Sequence, residues 1–432
     1  MTTLVPVRHR IHPAWVVAAV AFVALVGAAG FRAAPGVLMV PLEDEFGWSR
    51  ATLSLAVGVN LVLFGLTAPF AAALMDRFGL RRVTTCALLL VATGSGLTVV
   101  VQASWQLVLT WGVLIGLGTG SMALVFAATV AQRWFVRRRG LVTGILTAGS
   151  ATGQLVFLPV VAVVASHAGW RTASLVIAAA ALSVVPLVAL VMRDHPADRG
   201  VTAYGAPPPD TVQASRVLDF DQVPAVAQPG AARQALAALR DASHSRTFWA
   251  LVAGFAICGA TTNGLIGTHF VPAAHDHGMG ATTAAGLLAV VGVFDIVGTI
   301  GSGWLTDRYD PRLLLGVYYL FRGIGLAMLP VLLSDAVRPN IVAFVVIYGL
   351  DWVATVPPTV ALCHEAFGAS GTVVFGWVFA SHQIGAAIAS VAAGYARDQT
   401  GTYTLAWLSA AVLCGVAAVI SIRVRATSEV RR

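Results

Sequence analysis

The chain carries the stretch DRFGLRR at residues 76–82 and the related stretch DRYDPR at residues 307–312. Each stretch follows the second apolar segment in its half of the chain. This spacing indicates that one unit of six apolar segments occurs twice. In multi-span membrane proteins built from internal repeats, a functional site lies near the bilayer midplane, at the interface between the repeats.

The composition is that of an integral membrane protein. Of the 432 residues, 58% are hydrophobic and only 11% are charged, whereas about a quarter of the residues in soluble domains are charged. Runs of roughly 20 to 25 apolar residues are long enough to cross a hydrocarbon core about 30 Å thick. Twelve such runs lie at about residues 14–40, 51–74, 83–102, 106–131, 140–165, 171–192, 247–272, 282–306, 313–333, 339–363, 371–395 and 403–422. We therefore predict an all-α membrane protein with twelve transmembrane helices in two pseudo-symmetric six-helix bundles.

A polar interval separates the sixth apolar run from the seventh. It divides the chain into an N-terminal bundle (residues 1–192), a cytoplasmic linker (residues 193–246) and a C-terminal bundle (residues 247–432). Within the linker, the Ala- and Leu-rich stretch 231–240 has the pattern of a short amphipathic helix.

The positive charges follow membrane topology. All 27 positive residues are Arg. With a cytoplasmic N-terminus, 21 of them fall in inside segments, 4 in outside segments and 2 within the membrane. This asymmetry is the positive-inside pattern. It predicts a multi-pass protein of the inner or plasma membrane with both termini in the cytoplasm, and it argues against nucleic acid as a partner.

Two of the predicted spans contain helix breakers. Pro35-Gly36 interrupts the first span, and Pro357-Pro358 interrupts the tenth. Proline removes a backbone hydrogen bond, which neighbouring protein or a cavity must replace inside a membrane. We expect both helices to be broken.

The loop after each second segment resembles a known motif. Residues 72–79 (AALMDRFG) resemble the loop between helices 2 and 3 of the major facilitator superfamily, and residues 303–308 (GWLTDR) resemble its counterpart between helices 8 and 9. An Asp at a helix end can pair with Arg or with a neighbouring helix N-terminus and so latch one conformation. The residues predicted to gate the cytoplasmic side are Asp76, Arg77, Arg81, Asp307 and Arg308.

Two further stretches resemble the monocarboxylate and oxalate/formate transporter group of that superfamily. They are residues 41–50 (PLEDEFGWSR), which enter the second span, and residues 133–141 (RWFVRRRGL), which lead into the fifth. The resemblance implies a small organic anion as substrate.

Four ionisable residues lie near the middle of predicted spans: Arg32, Asp295, Arg322 and Asp351. Each would cost roughly 2.5 to 3.5 kcal/mol if it faced lipid, so each should face protein, a partner or water. A guanidinium can bind a carboxylate through two hydrogen bonds. Arg32 is our first candidate for binding an anion. The resemblance places it opposite Asp351, because helices 1 and 10 line the central cavity in the superfamily.

Asp295 matches the membrane Asp of monocarboxylate transporters on helix 8, but Thr299 stands where that group has an Arg. Arg322 on the ninth span either replaces this Arg or forms a structural ion pair with Asp295 or Asp351. A carboxylate whose Arg partner is drawn away by substrate can take a proton. Asp295 and Asp351 are therefore the candidates for proton coupling.

Polar residues at similar depth complete the predicted site. His382 and Gln383 lie at the middle of the eleventh span and Asn263 on the seventh, while His269 lies nearer the outer end of the seventh and could line an entry path. The predicted substrate-binding set is Arg32, Asn263, Arg322, Asp351, His382 and Gln383.

The chain shows no enzyme signature. It has no phosphate-binding loop, no Gly-x-Ser-x-Gly elbow and no His-Glu-x-x-His motif. The loop 275–277 (HDH) has residues of metal-binding type but too few ligands, so we expect it to be exposed to solvent. We predict neither a metal nor a cofactor.

We interpret the chain as a secondary active transporter that moves a small organic anion, a carboxylate, by alternating access and with proton coupling. It is expected to work as a monomer in the lipid bilayer. A proton-driven exporter of amphipathic drugs is the alternative within transport. A transporter-like sensor that binds without translocating is an alternative of another class.

Overall fold

The computed structural model describes residues 12–122, 124–206 and 230–424. Eleven helices in these ranges are long and apolar enough to cross a membrane. One of them is part of a 53-residue helical stretch, Arg139–Val191, which is interrupted at Gly169 (φ 80°, ψ 162°). At 1.5 Å per residue this stretch would measure about 80 Å, far more than one bilayer crossing. The interruption therefore divides it into two spans, which confirms the predicted fold.

We number the twelve spans in chain order. They are α1 (Pro13–Phe46), α2 (Arg50–Phe78), α3 (Leu80–Leu97), α4 (Ser104–Trp134), α5 (139–168), α6 (170–191), α7 (Arg246–Asp276), α8 (Ala281–Thr306), α9 (Pro311–Leu332), α10 (Pro339–Phe367), α11 (Gly371–Thr400) and α12 (Thr404–Arg423). A short helix, Ala231–Ala242, precedes α7, and we call it the linker helix. The end of the molecule that carries it is the linker end, and the other is the opposite end.

In the described ranges, four spans depart from regular α-helix near mid-length. When the twelve spans are divided into four consecutive groups of three, these four are the first helix of each group. Helix α1 is 3₁₀ over Gly30–Ala33, directly before Pro35, and α10 is interrupted over residues 352–355, directly before Pro357. Helices α4 and α7 each contain a π-helical stretch, Val108–Ile115 and Ala260–Ile266. Such irregular backbone is tolerated at membrane depth where it lies against protein or lines a cavity, and it often marks a functional site.

The break in α10 is braced by its neighbour α8. Pro358 has no N–H to donate to the carbonyl of Ala354, four residues earlier. That carbonyl instead accepts a hydrogen bond from Ser302 Oγ at 2.5 Å. The side chain of a second helix thus replaces the bond that proline removes.

Glycine allows close packing inside the N-terminal bundle. A Cβ atom on Gly116 of α4 would lie 3.0 Å from the carbonyl oxygen of Asn60 in α2, and one on Gly120 would lie 2.9 Å from the Cα of Phe64. At this separation the Asn60 side chain reaches α4, where its Nδ2 donates to the Trp111 carbonyl at 2.7 Å. Small residues let helix backbones approach in this way throughout membrane proteins.

The two bundles meet along three helix pairs, α2 with α11, α5 with α8, and α1 with α7. From mid-membrane towards the linker end, ring pairs join α2 to α11: Phe64 with Phe379 at 6.0 Å and Phe70 with Trp377 at 5.8 Å between centroids. The linker helix packs against both α2 and α11. Trp377 Nε1 donates to the carbonyl of Ala235 in that helix at 2.8 Å. The linker end is therefore joined mainly by aromatic packing.

Candidate functional site

A buried ion pair between α9 and α10 forms the centre of the candidate site. The Arg322 side chain is fully buried, and its Nε donates to Asp351 Oδ2 at 2.5 Å. Its Nη1 donates to Cys258 Sγ at 3.0 Å and to Thr261 Oγ1 at 3.4 Å. One guanidinium thus joins α7, α9 and α10.

The break in α10 gives Arg322 further acceptors. Its Nη2 donates to the backbone carbonyl of Asp351 at 2.6 Å and to that of Trp352 at 3.3 Å. Carbonyl groups at a helix end lack their usual helical partners. Arg322 supplies donors at this interruption, so it supports the backbone of α10 as well as the Asp351 side chain.

Asp295 of α8 reaches the same break. Its Oδ1 accepts hydrogen bonds from the backbone N–H of Val353 at 3.1 Å and from Thr299 Oγ1 at 3.0 Å. Thr299, which stands where the resemblance predicts an Arg, is therefore a hydrogen-bond donor to Asp295. The break is surrounded by two carboxylates and one guanidinium.

The second oxygen of Asp351 is unused. Oδ1 is buried and has no hydrogen-bond partner among the residues that the structure describes. Buried polar atoms nearly always have one. An incoming donor or a proton would find a free acceptor here.

Asp295 also faces the seam between the bundles. A small cavity lies between α5, α8 and α10, and Asp295 is the ionisable residue in its wall. The lining residues are Leu155, Leu288, Ala289, Val291, Gly292, Asp295 and Trp352. The carboxyl group thus lies at a contact between the two bundles.

Three other predicted residues lie along the contact between α7 and α11. His382 and Gln383 are buried, and the His382 ring stacks on Phe379 with centroids 5.9 Å apart. Gly259 packs against the His382 backbone so closely that a Cβ atom would lie 1.7 Å from its carbonyl oxygen. Asn263 is half-buried in the π-helical stretch of α7. Helix α7 therefore contacts the Arg322 pair on one side and these α11 residues on another.

Arg32 belongs to the 3₁₀ stretch of α1, but its side chain lies outside the described residues. Its predicted position opposite Asp351 stays a prediction. The partner that the structure gives Asp351 is Arg322.

The predicted gating residues of the first loop make contacts within one bundle. Asp76 pairs with Arg133 at 2.5 Å, and both belong to the N-terminal bundle. The Arg77 guanidinium lies over the ring of its neighbour Phe78. Arg81 donates its backbone N–H to Asp194 Oδ1 at 2.8 Å. These contacts hold the end of α2 to α4 and the start of α3 to the segment that follows α6.

The second loop behaves similarly. Asp307 is exposed, and Arg308 stacks on Trp304, 4.1 Å from the ring centroid. Nearby, Arg312 pairs with Glu365 at 2.6 Å inside the C-terminal bundle. Every ion pair recorded at the linker end for the described ranges therefore joins residues of the same bundle.

At the opposite end, charged residues join the two bundles through Arg50. Its side chain is only 3% exposed. Nε donates to Glu43 at 2.7 Å, Nη1 and Nη2 donate to the two oxygens of Asp276 at 3.2 and 2.9 Å, and Nη1 also donates to Tyr403 Oη at 2.9 Å. Glu43 belongs to the N-terminal bundle, and Asp276 and Tyr403 to the C-terminal bundle.

Two more residues of the C-terminal bundle extend this network. Arg397 donates to Asp276 Oδ2 at 2.7 Å. The carboxylate of Asp398 accepts the backbone N–H groups of Arg50 at 3.1 Å and Ala51 at 2.9 Å, so it caps the N-terminus of α2 from α11. We call the set Glu43, Arg50, Asp276, Arg397, Asp398 and Tyr403 the Arg50 network.

Sequence reasoning missed this network. It used residues 41–50 only for a family resemblance and expected the loop 275–277 to be exposed to solvent. Residues 275–277 are all exposed, as expected, but only 16% of the Asp276 side chain is exposed because two arginines bind it. One available signal was that Arg50 and Asp276 stand at the same end of the predicted topology with opposite charges. In the described part of the chain, no cluster of three or more His, Cys, Asp or Glu is placed to hold a metal ion.

Comparison with known proteins relates most of the chain to one family. The model of the Major Facilitator Superfamily matches residues 20–375. An uncharacterized MFS-type transporter, YcxA of Bacillus subtilis (strain 168), is 26% identical and covers 94% of each chain. Monocarboxylate transporter 13 of Bos taurus is 28% identical over 87% of this chain and 80% of its own. Monocarboxylate transporter 11 of Homo sapiens is 28% identical over 91% and 79%.

Solved structures with the same fold are more distant in sequence. A bacterial homolog of the human lysosomal transporter Spinster, in an inward-facing and unoccupied conformation, matches with a TM-score of 0.71 at 16% identity, over 96% of this chain and 97% of its own. The xylose transporter XylE from E. coli, in a partially occluded inward open conformation, matches with a TM-score of 0.66 at 14% identity, over 94% and 98%.

Proposed function

Because the chain belongs to the Major Facilitator Superfamily, we propose that it moves a small carboxylate across the cell membrane by alternating access, coupled to protons. The family and the relatives are transporters and not enzymes. The proposal adds the substrate class, the coupling ion and the membrane orientation to that assignment.

The observation that carries the substrate class is the buried Arg322–Asp351 pair beside Asp295. A carboxylate substrate is chemically equivalent to the Asp351 side chain, so it can compete for the same guanidinium donors. When it does, Asp351 loses its partner at a depth where an unpaired charge is costly, and it takes a proton. Binding of the anion and of a proton are then linked at one site.

Asp295 supports proton coupling for a related reason. With both carboxylates ionised, the break in α10 holds two negative charges and one positive charge, and a single proton balances them. Asp295 lies at the seam with α5 and faces the cavity there. It is therefore placed to exchange a proton when the bundles move. Arg32, Asn263, His382 and Gln383 complete the proposed substrate site.

The names of the relatives agree with this substrate class. Several of them are monocarboxylate transporters that align with most of this chain at about 27% identity. This chain differs from the pattern that the resemblance predicted, because residue 299 is Thr and not Arg. Arg322 of α9 provides a guanidinium instead.

The distribution of ion pairs supports a direction of opening. The Arg50 network joins the bundles by ion pairs at the opposite end, whereas the linker-end pairs Asp76–Arg133 and Arg312–Glu365 each lie within one bundle. The arginine distribution favours a cytoplasmic linker end. We propose that the bundles of residues 1–192 and 247–432 rock as a monomer about the Arg322 site, with both termini in the cytoplasm and the Arg50 network as the outer closure.

Uptake into proteoliposomes tests the proposal. Labelled acetate, lactate, pyruvate and oxalate are offered with an imposed pH gradient, and at least one should accumulate above its equilibrium level and lose that accumulation when the gradient is collapsed. Arg322→Lys keeps the charge but removes the forked donor geometry, so accumulation should fall at least tenfold. Arg338→Lys, an exposed arginine at the opposite end, is the matched control and should transport normally.

Two results would contradict the carboxylate proposal. Saturable binding of a carboxylate without accumulation would identify a sensor. Proton-driven extrusion of an amphipathic cationic dye, with no response to any carboxylate, would identify a drug exporter.

A further inference from the structure

A chain of hydrogen bonds runs from Arg50 to a histidine buried beneath the opposite end. Arg50 Nη1 donates to Tyr403 Oη at 2.9 Å, Tyr403 Oη lies 3.1 Å from His269 Nδ1, and His269 Nε2 lies 2.8 Å from the carbonyl oxygen of Ser390. His269 is completely buried. Because Arg50 belongs to the N-terminal bundle and the other three residues to the C-terminal bundle, separation of the bundles at this end breaks the chain.

The partners assign the proton positions on the imidazole. The Ser390 carbonyl can only accept, so Nε2 carries a proton and donates it. Burial raises the pKa of Tyr403 to about 12, against the effect of the nearby Arg50 charge. The phenol therefore keeps its proton at physiological pH and donates it to Nδ1, whose lone pair accepts. Both ring nitrogens are satisfied only when His269 is neutral.

A second proton on His269 conflicts with the closed arrangement. Nδ1–H would point at Tyr403 Oη, which already accepts from Arg50, and the phenol proton would lose its acceptor. The new positive charge would also face Arg50 of α2. Asp398 of α11 attracts this charge, but its two oxygens already bind the first N–H groups of α2. From α2, Ser54 Oγ also faces Nε2 at 3.5 Å. The other charged groups of the network bind Arg50 or each other: Glu43, Asp276 and Arg397.

We propose that His269 is a proton-binding site that controls the opposite end: the neutral imidazole keeps this end closed, and proton binding opens it. The proposal deepens the proposed function, on which it rests for the rocking of the bundles. A proton that binds only the open form shifts the population towards that form. An accessible imidazole ionises near pH 6.5, so acidification from pH 8.0 to 5.5 should raise the ratio of open to closed molecules about tenfold.

Cysteine accessibility from the opposite end measures this ratio without any substrate. Asn263→Cys, six residues deeper in α7 than His269, is the reporter, in a Cys86→Ser background because Cys86 is exposed. A membrane-impermeant methanethiosulfonate reagent is added outside oriented proteoliposomes at pH 8.0 and 5.5. Since thiol reactivity itself varies with pH, each rate is divided by that of the same reporter carrying His269→Gln. Glutamine keeps one donor and one acceptor but does not titrate.

The normalised labelling rate should rise about tenfold on acidification with His269 present. His275→Gln removes an exposed histidine from the same helix end and should leave that rise intact. Tyr403→Phe cuts the hydrogen-bond chain and should abolish it. Arg50→Ala should give fast labelling at both pH values.

The proposal is overturned if the normalised rate does not change with pH, or if His275→Gln removes the change. It is also overturned if the Arg50→Ala reporter stays unlabelled at both pH values, because the network then does not close this end. Failure of carboxylate accumulation would refute the proposed substrate and leave these labelling results standing, so the two failures are distinguishable.

Discussion

The Arg322–Asp351 pair should be strongly coupled energetically. Arg322→Met removes the cation and leaves the Asp351 carboxylate buried and unpaired, which costs about 3 to 5 kcal/mol of unfolding free energy. The same variant loses the bonds to the carbonyls of Asp351 and Trp352, each worth about 1 kcal/mol. Asp351→Asn removes the anion and leaves the cation with its carbonyl partners, so we expect a smaller loss of about 3 kcal/mol.

The double variant removes both charges at once. Its unfolding free energy should fall only by the value of the lost carbonyl bonds, about 2 kcal/mol, because no buried charge is left unpaired. The sum of the single losses should therefore exceed the double loss by about 6 kcal/mol or more. The assay is denaturation by SDS in mixed micelles, followed by the fluorescence of the 11 tryptophans.

A second ion pair in the same protein is a matched control. Arg171 and Glu45 also lie 2.5 Å apart, but their side chains are 46% and 37% exposed. Their coupling should be far smaller than that of the buried pair, because water screens an exposed pair. Equal couplings for the two pairs would refute the argument that burial of Arg322 and Asp351 sets the strength of their interaction.

Three further perturbations test the packing and the hydrogen bonds. Gly298→Ala should destabilise the protein by more than about 2 kcal/mol, because the new Cβ would lie 1.8 Å from the Leu350 carbonyl. Gly301→Ala, three residues along the same helix with open space around it, should change stability by less than about 0.5 kcal/mol in the same denaturation assay. Ser302→Ala leaves the Ala354 carbonyl unpaired and should cost about 1 to 3 kcal/mol of unfolding free energy. The control is Ser409→Ala, because the Ser409 hydroxyl bonds only within its own helix. If Ser302→Ala leaves the unfolding free energy unchanged within experimental error, Ser302 does not brace α10. Trp377→Phe removes the hydrogen bond to Ala235 of the linker helix and should speed proteolytic cleavage of the linker several-fold. An unchanged cleavage rate would show that this bond does not hold the linker helix.

Much of the fold could be predicted from sequence because its causes are local. The lengths of the apolar runs give the number of spans, and the missing N–H groups of Pro35 and Pro357 locate the breaks in α1 and α10. The π-helical stretches of α4 and α7 carry no comparable residue. They depend on how each helix meets its neighbours, which a single sequence does not specify.

The site could be predicted only in part. A charge inside a span is conspicuous because it must be compensated, and this made Arg322, Asp295 and Asp351 candidates. Choosing between the two carboxylates as the partner of Arg322 requires the rotation of α9 about its axis, which the sequence leaves open. Arg50 and Asp276 were harder to recognise, because charges at helix ends are ordinarily satisfied by water.

The bundles are joined by ion pairs at the opposite end and by aromatic contacts at the linker end. The salt in the buffer should therefore affect which end is open. The proposed closure at the opposite end includes the partly exposed Arg397–Asp276 pair, and salt at physiological concentration screens exposed charges over about 8 Å. The aromatic contacts of Phe70 with Trp377 at the linker end respond in the other direction, because salts such as sulfate strengthen apolar association. Concentrated sulfate should therefore favour molecules open at the Arg50 end, and the choice of purification buffer will help to decide which conformation is isolated.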